Sequence, residues 1–213
     1  MSRKLTLTYF LYICQERNYI IYMPGDNKND IQQLWDAFLK GDDKAFAAIY
    51  FTYAPRLLGY GRKLTSHSAL LYDAIQDVFL DIYQKKGKEH RPVANPAAYL
   101  FAALRNIILK KKLEEQKMAT VQLREEDQNG FDVEYSPQDL MISHEISEEN
   151  RNRLRQAIGT LSPSLKEIIF LKFEEDFSYD EIARVMYITV ESARKQLYRA
   201  LSSLRKTIDN IDN

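Results

Sequence analysis

Apolar side chains recur along most of this chain at helical spacing. Ile31, Leu34, Trp35, Phe38 and Leu39 stand at i, i+3, i+4, i+7 and i+8, the stripe of an amphipathic helix, with Asp30 a suitable N-cap and Gly41 a suitable stop. After Asp42 the stripe resumes with Phe46, Ile49, Tyr50 and Tyr53. Pro55 is expected to kink that helix or start a new turn before Leu57, Leu58 and Leu64. A third helix is predicted over about 68–85, burying Leu71, Ile75, Val78, Phe79 and Ile82. Residues 85–96 contain Gly87, Pro92 and Pro96 and read as a loop; a fourth helix follows over about 97–116, apolar through Leu109 and then abruptly basic.

The pattern fails between 118 and 150. Nine acidic residues fall between 125 and 149, with Gly130, Pro137 and no sustained period, the composition of a flexible acidic linker. Helical periodicity then returns. Leu154, Ala157, Ile158 and Leu161 share one stripe, and Ser162-Pro163 supplies an N-cap with Pro at the first helical position ahead of Leu165, Ile168, Ile169, Leu171 and Phe173. Ser178 and Glu181 have capping-box spacing before Ile182, Ala183 and Met186. Tyr187-Ile188-Thr189 is a tight turn, and Thr189 is the better N-cap for a last helix. The expected fold is all-α: an N-terminal extension at 1–29, a helical domain at 30–117, a linker at 118–150 and a helix-turn-helix domain at 151–208.

Helix, three-residue turn and longer helix is the arrangement that places a second helix in a DNA major groove. Ala193, Leu197, Ala200, Leu201, Leu204 and Ile208 form the apolar stripe of that last helix. Glu191, Lys195, Tyr198, Arg199, Ser202 and Lys206 point away from it, with Arg194 at its border. Between 184 and 206 six basic residues face one acidic residue, Glu191. Such cations neutralise phosphates, and those near the helix start can reach guanine edges.

Composition then narrows the field. Only 7 Gly and 6 Pro in 213 residues favour long helices. A single cysteine, Cys14, leaves no disulfide framework and fits a reducing cytoplasm. The formal charge is zero, from 30 basic and 30 acidic residues, which is unusual for a nucleic-acid binder. Distribution answers that objection: the acidic linker offsets the basic reader. Arg3 and Lys4 before an apolar run faintly suggest a signal peptide, but Thr6 and Thr8 interrupt it and no cleavage site follows. Met23 resembles an ordinary start, so residues 1–22 are read as an upstream extension. His67, His90 and His144 lack metal-ligand spacing, and no phosphate loop or nucleophile motif occurs, so neither an enzyme, a metal site nor a cofactor is expected.

The octapeptide from Asp73 to Leu80, Asp-Ala-Ile-Gln-Asp-Val-Phe-Leu, resembles the core-polymerase-binding helix of sigma-70 family transcription factors. Gly41-Asp42 with Ala45-Phe46 and Ile49-Tyr50 is similar to the family's first conserved region. Tyr99-Leu100 with Arg105-Asn106 is similar to its promoter-melting, −10-reading helix, and Leu161-Ser-Pro163 through Arg199-Ala200 to its −35-reading domain. The resemblance covers about 30–208, and the lack of a middle domain points to the extracytoplasmic-function subfamily. It implies that Asp73, Gln76, Asp77, Phe79 and Asp81 meet polymerase. It implies likewise that Asn95, Tyr99, Arg105, Asn106, Lys110, Lys111 and Lys112 follow the −10 element, and that Thr189, Glu191, Ser192, Arg194, Lys195, Tyr198 and Arg199 read the −35 element.

The implied partners are promoter DNA, core RNA polymerase and an anti-sigma factor. Two residue readings stay open: Asn95 also suits turn chemistry, and Tyr99 and Phe101 are either a stacking surface or core. The chain departs from the family at Tyr99, where Trp is frequent, at Lys110, where an acid is frequent, and at Glu191-Ser192-Ala193, where Gly-Thr-Val is usual. A stand-alone helix-turn-helix regulator would need the reader but not the 73–80 helix. A pure protein-interaction module would not need the basic face.

Overall fold

The computed structural model describes residues 28–86, 93–118, 131 and 148–211. The proposed extension at 1–22, most of the acidic stretch and the centre of the 85–96 loop lie outside them. Eight helices occur among the described residues, and no strand. No described helix is long and apolar enough to cross a membrane. The chain divides into two compact units, one holding residues to 121 apart from 63–65, the other holding 63–65 and the residues from 122.

The first unit contains α1 (Lys28–Leu39), α2 (Asp43–Leu64), α3 (Ser68–Tyr83) and α4 (Pro96–Met118). α1 starts two residues before the expected cap, which leaves Asp30 in its first turn, where a carboxylate complements the helix dipole. Its end is a Schellman turn: Gly41, at φ 108°, donates to Phe38 O and Asp42 to Ala37 O. Pro55 does not divide α2. Tyr53, Leu57, Tyr60 and Leu64 form one buried stripe through it, and Pro55 itself is exposed, so burial overrides the missing backbone bond.

Rings fill the centre of this unit. Phe38 lies 5.3 Å from Phe46, Phe46 6.3 Å from Phe79, and Tyr60 5.1 Å from Phe101. Trp35 is buried against Phe38 and Tyr99, and its indole Nε1 has no protein acceptor among the described residues. α2 passes its neighbours closely at Gly61, where a Cβ would collide with Leu71 Cδ1 and come within 3.5 Å of Ile108. His67 caps α3, its Nδ1 accepting from the Leu70 amide at 3.1 Å.

The second unit contains α5 (Glu148–Gly159), α6 (Pro163–Phe173), α7 (Tyr179–Met186) and α8 (Val190–Ile211), with α8 packed on the other three. Ser162 has extended backbone ahead of Pro163, but its side chain makes no cap bond; its carbonyl accepts from Leu165 and Lys166 instead. The core joins Ala157, Ile168, Leu171, Phe177, Ile182, Val185, Ala193, Leu197 and Ala200. Phe131 is buried too, its ring 5.9 Å from that of Phe170. The buried stripe of α8 is narrower than the periodicity implied. Leu201 is 44% exposed, because it sits a full step off the 193–197–200–204 line, and Leu154 and Phe173 are also exposed.

Candidate nucleic-acid interface

The turn between α7 and α8 is built from local bonds that the sequence spells out. Ser178 Oγ accepts from the Glu181 amide at 3.3 Å, while the Ser178 amide donates to Glu181 Oε2 at 2.6 Å, the complete capping box. α7 ends at Tyr187, whose φ of 55° is left-handed. Tyr187 N and Ile188 N both donate to Ala183 O, which closes the turn tightly. Thr189 then caps α8, its Oγ1 accepting from the Ser192 amide at 3.1 Å. Gln196 donates to Ser192 Oγ at 3.3 Å within α8 and ties that helix to α6 by accepting from Ser164 Oγ at 2.9 Å.

These bonds divide the seven proposed −35 residues into two groups. Thr189 and Ser192 hold the entry to α8 in shape. Glu191, Arg194, Lys195, Tyr198 and Arg199 are exposed, Tyr198 at 74%. Arg205 and Lys206 continue the exposed basic surface toward the C-terminus. Glu191 does not oppose this field freely, since it pairs with Lys195 at 2.6 Å one turn on. Arg194 is the exposed cation with an aromatic seat: its guanidinium lies over the Tyr179 ring, 5.5 Å from the centroid. Tyr179 carries no site signal in the sequence, because it and Arg194 meet only when α7 and α8 fold together.

In the first unit the proposed polymerase-binding and −10 residues are joined to each other. Lys111 Nζ donates to Asp77 Oδ2 at 2.8 Å. Asp81 Oδ2 accepts from Lys85 Nζ at 2.6 Å and from the Tyr99 hydroxyl at 3.3 Å, and Lys85 also donates to the Tyr99 oxygen. Burial pulls the Lys85 ammonium down, but its bonds to Asp81 and Tyr99 outweigh that and hold its pKa above the usual lysine value. Lys86 is held up likewise, first by its hydrogen bond to Asp43 at 2.6 Å. Lys85 and Lys86 have no place among the residues proposed from sequence; the i, i+4 spacing of Asp81 and Lys85 is the available signal.

Four of the residues singled out in the sequence have packing or capping partners within the unit. Phe79 does not face a partner: it is fully buried, with its ring 4.6 Å from Tyr50, because it falls on the core side of a helix whose acids face outward. Asn95 serves turn chemistry, its Oδ1 accepting from the Ala98 amide at 2.9 Å to cap α4. Phe101 is core, and Tyr99, half-buried with its ring 5.7 Å from Trp35 and Lys85 above it, is packed rather than open for stacking. The other α4 residues do not share one face. Asn106 and Lys110 are exposed on the side away from the core; Lys110 approaches Glu114 at 3.9 Å. Arg105 and Lys112 are half-buried, and Lys111 turns toward α3. On α3, Asp73 is exposed and Gln76 half-buried beside Asp77.

Known proteins resemble this chain in sequence and in fold. Residues 151–204 match the family model "Sigma-70, region 4". The RNA polymerase sigma factor CarQ of Myxococcus xanthus is 24% identical over 177 residues, covering 83% of this chain and 97% of CarQ. The ECF RNA polymerase sigma factor RpoE of Cereibacter sphaeroides is 25% identical over 165 residues, covering 78% of this chain and 87% of the relative. Among solved structures, the sigma factor RpoE of Bartonella quintana, crystallised with the anti-sigma factor NepR, superposes with a TM-score of 0.54 at 20% identity, over 78% of this chain and 98% of that one. In its helix-turn-helix unit the chain matches region 4 of sigma-70, and along most of its length it is similar to RNA polymerase sigma factors, among them one of the extracytoplasmic-function type.

Proposed function

We propose that this chain binds core RNA polymerase and directs it to a limited set of promoters, reading the −35 element with α8, reading the −10 element with α4 and assisting melting there. The observation that carries this is the exposed cationic face of α8 behind a fully capped three-residue turn, inside the matched region. In this reading 30–117 is the polymerase-binding and −10 domain, 118–150 a linker, and 151–208 the −35 domain. Arg194 and Arg199 meet base edges, while Lys195, Tyr198 and the trailing cations meet phosphates. Asp73, Gln76, Asp77 and Asp81 present an acidic face to a basic surface of polymerase, giving steering and register more than raw affinity.

The chain works by binding, in the cytoplasm, and no group in it is assigned a catalytic step. The Bartonella quintana relative is held by an anti-sigma factor, and we assign this chain a partner of the same kind. In vitro transcription with purified core polymerase and a genomic template tests the reading. Promoter-specific starts that depend on this chain are expected. A chain that neither co-purifies with core nor yields specific starts overturns it.

A further inference from the structure

We infer that Tyr179 is a positioning residue for promoter reading: its ring seats the Arg194 guanidinium so that it reaches the DNA already oriented. This rests on α8 being the −35 reader. Three observations carry it. First, Arg194 Cζ lies 5.5 Å from the Tyr179 centroid, although Arg194 is itself exposed to solvent. A guanidinium over an aromatic face is attracted by the ring quadrupole while its in-plane N–H groups remain open to other acceptors.

Second, the ring is on a fixed mount. Tyr179 is the first residue of α7, directly after Ser178, and both bonds of the Ser178–Glu181 capping box pin the backbone there. Third, a second cation shares the ring. Lys172 Nζ lies 5.9 Å from the same centroid and donates to Phe177 O at 3.1 Å, so α6, the α6–α7 connection and α8 converge on one aromatic. Arg194 stands in the second turn of α8, where a side chain enters the groove first. An arginine that must order several rotatable bonds on binding loses affinity and discrimination; one already held over a ring loses less.

The inference predicts that flattening or emptying the ring face blurs the bases that Arg194 reads and leaves phosphate binding alone. Full-length chain with core polymerase is presented with a duplex library randomised across the upstream element, and the bound fraction is sequenced. Arg194→Ala identifies the positions that depend on this arginine. Tyr179→Leu should weaken preference at those same positions by about two- to fivefold, the range of an exposed cation–π contact. It should leave other positions and the salt dependence unchanged, and it should add little in combination with Arg194→Ala.

Tyr179→Phe should restore the wild-type profile. Phenylalanines bearing more ring fluorines at position 179 keep the shape while draining the face, so preference should fall stepwise with fluorination, and this series remains decisive if Tyr179→Leu folds poorly. A sharp profile in the fluorinated series, or losses that multiply in the double variant, overturns the positioning role while Arg194 remains a reader. An unchanged profile for Arg194→Ala removes Arg194 as a reader, and the positioning role with it; an unchanged profile when Arg199→Ala is added removes the α8 reading itself.

Discussion

Single residues in this chain are often occupied by two demands, and Phe79 and Asp77 separate them. They sit two positions apart in one motif, yet one is core and the other faces outward to an ion pair. Phe79→Ala should destabilise the first unit by about 3–5 kcal/mol through the cavity left among the rings, measured by denaturant unfolding. Asp77→Ala should cost no more than about 1 kcal/mol, because the pair with Lys111 is partly exposed, while core-polymerase capture falls. Equal loss of stability in the two variants would contradict this division. Tyr187 poses a different case. A bulky residue in left-handed backbone is strained, so Tyr187→Gly should raise stability by about 1 kcal/mol in a thermal melt, with promoter selection kept. A lower melting temperature would mean that the exposed ring makes a contact worth more than the strain.

At the scale of elements, what is legible in the sequence is what is local. The capping box, the Gly41 stop, the Thr189 cap and the three-residue turn each lie within six residues, so spacing alone specifies them. Asp77 with Lys111, and Arg194 with Tyr179, depend on which helices come to lie together, and periodicity holds no record of that. Phe79 misleads because the 73–80 motif mixes buried and outward-facing residues on one helix, and only burial tells them apart. The same locality limit applies to the two glycines of α2, which look alike in sequence. A side chain at Gly59 would extend into open space, whereas one at Gly61 would meet Leu71, Leu104 and Ile108. Gly59→Ala should therefore stabilise by about 0.5–1 kcal/mol and Gly61→Val destabilise by about 1–3 kcal/mol, compared by denaturant midpoints. Reversal of that order would mean that α2 packs differently.

Over the whole molecule, net neutrality conceals separated charge: a cationic face on α8 and an acid-rich stretch before it. The first unit also has a definable alkaline limit. Lys85 and Lys86 are raised by their acidic partners against burial, and burial raises Tyr50. In all three the folded state holds its proton more tightly than the unfolded chain does. Their contributions are complete below the unfolded values of about 10 and are lost as pH climbs through the folded ones. The melting temperature should be level from about pH 7 to 9 for these groups and fall above about pH 10, with a shallower fall in Lys85→Met. An identical slope in that variant would assign the decline elsewhere.

Trp35 is the chain's single tryptophan, and it lies against the ring that Lys85 and Asp81 hold in place. The protein thus carries its own optical gauge at the proposed −10 site. Indole emission is expected at the blue end of its range while Tyr99 stays packed over it. If promoter opening draws Tyr99 away, that emission should move to the red at the rate of melting, so that stopped-flow fluorescence follows strand separation with no dye attached to either the DNA or the polymerase.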